Sequence, residues 1–88
     1  MGVDEILDLV MSRVRALRSA GEEPAWASVF GSDVLEALAR LVPQDYEKFK
    51  LKLEGALLLE RVRLKGLSER VLDRAVAAAL LRVQEQGG

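Results

Sequence analysis

The sequence predicts an all-α fold: a small bundle of four main helices and one short helix around a central long helix. Three features carry that reading. Apolar residues recur at three- and four-residue spacing in four separate segments, the pattern of a helix with a buried face. Glycine, proline or a capping residue stands at the segment boundaries. The 88 residues, half of them apolar and 31% charged, suit one folded domain, 1–88, with a thin core.

Residues 3–20 read as the first helix. Val3, Ile6, Leu7, Val10, Val14 and Leu17 fall on one face. Asp4, Glu5 and Asp8 lie early and Arg13, Arg15 and Arg18 late, the order that complements the helix dipole. Gly21 supplies a C-terminal stop. Pro24 suits the first position of a short helix over 24–30, which Gly31 ends. Its Trp26, the single tryptophan, fits either a plug between helices or a partner-binding anchor. Asp33 and Glu36 have the spacing of a capping box for a helix over 33–42, whose Val34, Leu35, Leu38, Leu41 and Val42 face inward.

The long central helix is expected over 44–65, opened by Pro43 and closed by Gly66. Tyr46, Phe49, Leu53, Ala56, Leu57 and Leu64 share one sector. Leu51, Gly55, Leu58 and Val62 share nearly the opposite one, so the helix is expected to be buried on two sides, with Gly55 admitting a close neighbour. Glu60 projects within the first apolar sector and must find a partner or reach solvent. A competing pattern exists. Residues 48–53 and 61–65 alternate apolar and basic with period two, the signature of a hairpin. Helix formers dominate and β-branched residues are nearly absent, which favours helix over 44–65.

The last helix is expected over 68–86. Ser68 is its N-cap and Leu67 staples against Leu72. Leu72, Ala75, Val76, Ala79, Leu80 and Val83 form its stripe, widened by Ala77, Ala78 and Leu81, a breadth that suits a second neighbour. Gly87 and Gly88 read as a frayed tail.

Composition excludes much chemistry. The chain has no Cys and no His, hence no thiolate or imidazole ligand, no cysteine nucleophile and no histidine base. The glycines are scattered, without a phosphate-binding loop. No apolar run is long enough to span a membrane, and the acidic start lacks the basic flank of a secretory signal, so a cytoplasmic protein without membrane contact is expected. No enzyme activity, metal or cofactor is expected.

Charge is asymmetric. Residues 1–43 carry net −3 and residues 44–88 net +2. On a straight helix Lys48, Lys52 and Arg63 would form one ridge, with Arg61 and Lys65 at its end, a line that a phosphate backbone can follow. A solvated helix face is the plainer use of the same charges.

The run Leu41-Val42-Pro43-Gln44-Asp45-Tyr46-Glu47-Lys48, and Leu67 through Val76 with Leu72-Asp73-Arg74-Ala75-Val76, resembles helical segments of phage- and plasmid-encoded DNA primases and primase-helicases. Trp26 in its short helix resembles the region upstream, so the likeness covers about residues 26–76. The catalytic and ATP-binding motifs of those proteins are missing. The resemblance implies a helical accessory domain that grips template or couples domains, without chemistry of its own.

Two functional expectations result. One is a non-catalytic accessory module of a replication protein that contacts single-stranded or template DNA weakly through Lys48, Lys52, Arg61, Arg63 and Lys65. The other is a protein–protein adaptor or small homo-oligomer, with Trp26, Ala77 and Leu81 at its interface.

Overall fold

Helix α1 (Val3–Ser19) buries the stripe its spacing predicts: Ile6, Val10 and Val14, with Met11 beside them. The computed structural model describes residues 1–86. After α1 come α2 (Trp26–Val29), α3 (Ser32–Ala39), α4 (Pro43–Leu59) and α5 (Glu69–Gln86), and no strand occurs among the described residues. Gly87 and Gly88, expected to fray, lie outside them.

The ends of α1 follow from local chemistry. The Glu5 carboxylate accepts the Gly2 N–H at 3.1 Å, satisfying a donor at the start of the helix. At the other end Gly21 takes a φ of +76°. Its N–H donates to the Arg18 carbonyl at 3.0 Å, and that of Glu22 to the Leu17 carbonyl at 2.9 Å, the paired bonds of a Schellman stop.

Helix α1 packs against α2, α3 and α4, and α3 packs along α5. Ion pairs Asp4–Lys52 and Arg15–Glu60 tie α1 to α4 in the same chain order, so these two helices run in the same direction. Phe49 lies at the centre of the core, fully buried, with Phe30 edge-on at a centroid distance of 6.5 Å.

Helix α4 departs from expectation twice. It ends at Leu59, six residues before Lys65. Arg61 adopts the left-handed conformation at φ +55°; its N–H donates to the Leu58 carbonyl at 3.1 Å and the Val62 N–H to the Leu57 carbonyl at 2.9 Å. This is the same stop as at Gly21, built on a non-glycine residue. The chain then leaves the helix so that Leu64 can enter the core, and Lys65 forms a parallel bridge with Ala25. The Lys65 N–H donates to the Pro24 carbonyl at 2.9 Å, and the Trp26 N–H to the Lys65 carbonyl at 3.0 Å. Gly66 therefore closes no helix. It turns at φ +79° beneath Trp26, whose Cδ1 lies 3.0 Å from where a β-carbon would stand.

Second, α4 buries one face. Phe49, Leu53 and Leu57 point inward as expected. Leu51 and Leu58, each 71% exposed, and Leu59, 87% exposed, lie in solvent, and a β-carbon at Gly55 would meet no other part of the described fold within 4 Å. The neighbour expected on that side is absent among the described residues.

The start of α3 also differs. Gly31 occupies the cap position, and the helix begins at Ser32 without a side-chain cap. The Asp33 carboxylate is taken by the Arg13 guanidinium, which donates to it at 2.6 and 3.2 Å and to the Val29 carbonyl at 3.1 Å. A long-range charged hydrogen bond has displaced the local capping box. Pro24 is likewise outside α2; it is buried just ahead of the bridge. The predicted cap of α5 is present, with the Val71 N–H donating to Ser68 Oγ at 3.1 Å.

Candidate nucleic-acid and partner-binding surfaces

The basic residues of α4 and of the segment after it fall into three environments. Lys50 is wrapped: its side chain is 13% exposed, and its ammonium meets Glu69 at 2.9 Å, Glu47 at 3.1 Å and Asp73 at 3.3 Å. It also lies 4.7 Å from the Tyr46 ring centroid, and the Tyr46 hydroxyl donates to Asp73. Burial opposes the Lys50 charge, but the hydrogen bonds to Glu69, Glu47 and Asp73 outweigh it and raise its pKa above the ordinary lysine value. Burial and the Asp73 contact push the Tyr46 phenol up as well. This cluster fastens α4 to the start of α5.

Lys48 and Lys52 stand on the part of α4 that faces the start of α1. The Lys52 ammonium meets the Asp4 carboxylate at 2.7 Å, a hydrogen bond that holds Asp4 below the usual aspartate range. The Lys48 charge adds to that lowering.

Arg61, Arg63 and Lys65 are exposed, and none forms an ion pair among the described residues. The ridge expected from Lys48 through Arg63 does not form, because the helix that would carry it stops at Leu59. The same stop creates a different array. Along 61–65 exposure alternates: Arg61 out, Val62 partly covered, Arg63 out, Leu64 buried, Lys65 out. On extended backbone, side chains two apart stand about 6.6 Å apart on the same side; Arg61, at φ +55°, stands outside that geometry. The period-two pattern matches the exposure of these five residues, but the hairpin it would signal does not form: 48–53 is helical and 61–65 contributes only an isolated bridge.

Glu60, the misfit of the central helix, finds Arg15. The guanidinium donates to the carboxylate at 2.7, 3.2 and 3.3 Å, and Arg18 donates to the Glu60 carbonyl at 3.3 Å. The Arg15 contact lowers the Glu60 pKa. These bonds anchor the turn from which the basic segment departs.

Compared with protein-family models, curated proteins and solved structures, the chain matches none.

Of the expected partner-binding residues, Trp26 is half-buried against the core, with Phe30 at 6.4 Å and Gly66 beneath it. Its packing ties the basic segment to α2. Ala77 and Leu81 lie on the outer side of α5, Leu81 62% exposed. Composition missed one feature: a groove of about 280 Å³ between α4 and the start of α5. No group of three or more carboxylates among the described residues is arranged to hold a metal ion. No described helix is long and apolar enough to cross a membrane.

Proposed function

We propose that this chain is a non-catalytic helical accessory module that contacts nucleic acid weakly through Arg61, Arg63 and Lys65, in keeping with the primase and primase-helicase segments it resembles. The observation that carries the reading is the presentation of three exposed cations, free of ion pairs among the described residues, by a short run fixed at both ends. The stop at Arg61 fixes one end and the bridge to Ala25 the other. Fixing the backbone before binding reduces the ordering cost on association. Lys52, paired with Asp4, is a weaker participant, and Lys48 is a separate contact further along α4. Glu22 and Glu23, close in sequence to the bridging residue Ala25, temper the local potential and keep affinity low.

Binding of a labelled single strand, followed by anisotropy across a salt series, tests this. Three phosphate contacts predict a log–log slope of about −2, at roughly 0.7 per contact. No binding at low salt, or binding indifferent to salt, contradicts the reading.

A second reading is favoured by the outer side of α5, where Ala77, Ala78 and Leu81 are exposed. On that reading the protein is an adaptor or small homo-oligomer joined through this face. Light scattering separates the two: a concentration-dependent mass abolished by Leu81→Glu supports the α5 interface, and a constant monomer mass excludes self-association.

A further inference from the structure

Helix α4 carries a Gly at position 55 that its own fold does not require. A helix-interior glycine costs about 1 kcal/mol relative to alanine. The usual compensation is a close neighbour, yet a β-carbon at Gly55 would meet nothing within 4 Å. Leu51 and Leu58, one helical turn to either side, are both exposed. Of these residues Leu51 alone also lines the groove between α4 and the start of α5.

The groove has a definite chemistry. Leu53, Leu57, Leu67 and Leu72 form its apolar floor. Its rim bears Glu47, Glu54 and Glu69, and the single cation there, Lys50, is held by Glu47, Glu69 and Asp73. The lip is therefore net negative on a side of α4 away from Lys48 and Lys52. An acidic rim above an apolar floor repels nucleic acid and complements a cationic amphipathic helix.

We infer that the groove between α4 and the start of α5 docks a basic amphipathic helix of a partner protein. Its apolar side chains enter beside Leu51 and over Leu53, Leu57 and Leu72, and its Lys or Arg residues meet Glu47, Glu54 and Glu69. The site goes beyond the nucleic-acid reading and does not depend on it, since it shares no residue with Arg61, Arg63 and Lys65. A module with both sites would join a partner protein to nucleic acid.

Nuclear magnetic resonance titration of the labelled protein with a synthetic Leu/Lys amphipathic peptide, and with its Leu/Glu counterpart, tests the inference. The Leu/Lys peptide should shift amides in 47–58 and 67–72, and the Leu/Glu peptide should not bind. Glu47→Lys with Glu54→Lys should weaken binding about tenfold while the spectrum stays folded. Leu51→Ser, at a surface position, should weaken it independently. The inference is overturned if the Leu/Lys peptide does not bind, if its shifts centre on Leu80 and Leu81, or if either variant binds like wild type. Equal binding of the Leu/Glu peptide overturns it too. Shifts of the same groove residues on raising protein concentration alone would make a second copy the occupant and also overturn it.

Discussion

At Arg61 a non-glycine residue holds φ +55° with no ion pair among the described residues to compensate. The left-handed conformation costs an L-residue roughly 1–2 kcal/mol, and glycine gives back about 0.5–1 kcal/mol through its freer unfolded chain. Arg61→Gly should therefore stabilise the fold by about 0.5–1 kcal/mol, read as a higher denaturant midpoint; a lower midpoint would mean the side chain contributes more than the geometry indicates. Ser68→Ala removes the bond to the Val71 N–H and should lower stability by about 1 kcal/mol. An unchanged midpoint would mean that this cap contributes nothing. Acid should also weaken the protein. Hydrogen bonds from Lys52, Arg13 and Arg15 hold Asp4, Asp33 and Glu60 below their ordinary values of 3.8, 3.8 and 4.5. In that window the unfolded chain binds more protons than the folded one. Their contribution is present above about pH 4.5 and is lost as pH falls through the lowered values. All three carboxylates are close to solvent, so the loss is small and shrinks with added salt. A midpoint unchanged between pH 6 and pH 3 would contradict these pairings. At this scale the sequence was informative where a residue acts on its own neighbours: Gly21 stops a helix and Ser68 caps one. It was less so where a distant partner decides. Glu60 visibly needed a partner, but nothing local pointed to Arg15, and Asp33 left its expected capping box because Arg13 reaches it from another helix.

Among the elements, α4 separates local preference from tertiary control. Its sequence continues with helix formers through Arg61 and has no glycine between Gly55 and Gly66. Propensity alone therefore carries the helix to Lys65. The chain stops at Leu59 because burying Leu64 and bridging Lys65 to Ala25 outweigh six more residues of helix. The alternation from Arg61 to Lys65 was the one sequence signal of that outcome, masked by the similar alternation over 48–53, where helix prevailed. The inward stripe of Phe49, Leu53 and Leu57 was legible from spacing. The exposure of Leu51 and Leu58 was not, because an apolar stripe reads the same whether its neighbour lies within the chain or outside it. Gly55→Ala distinguishes these cases. With open space beside the helix it should raise stability by about 1 kcal/mol; a loss would place an unseen neighbour against Gly55.

Over the whole molecule, the division of charge between the chain's halves did not become one basic face. Lys50 is enclosed by carboxylates, Lys52 pairs with Asp4, and the cations without ion pairs among the described residues are spread over several elements, three of them (Arg61, Arg63 and Lys65) on the segment between α4 and α5. Helix count, the assignment of most core residues and the all-α class were accessible from periodicity. The arrangement of the charges was not, since it depends on where α4 ends and on α1 running in the same direction as α4. The central functional claim is that nucleic acid follows the 61–65 segment rather than a ridge along α4. The most direct measurement compares single-strand binding by two charge-reversal variants at low salt, each checked for native circular dichroism. One carries Arg61→Glu, Arg63→Glu and Lys65→Glu; the other carries Lys48→Glu and Lys52→Glu. The first should abolish binding and the second leave most of it. Binding that survives the first reversal, or is lost in the second alone, would contradict the claim.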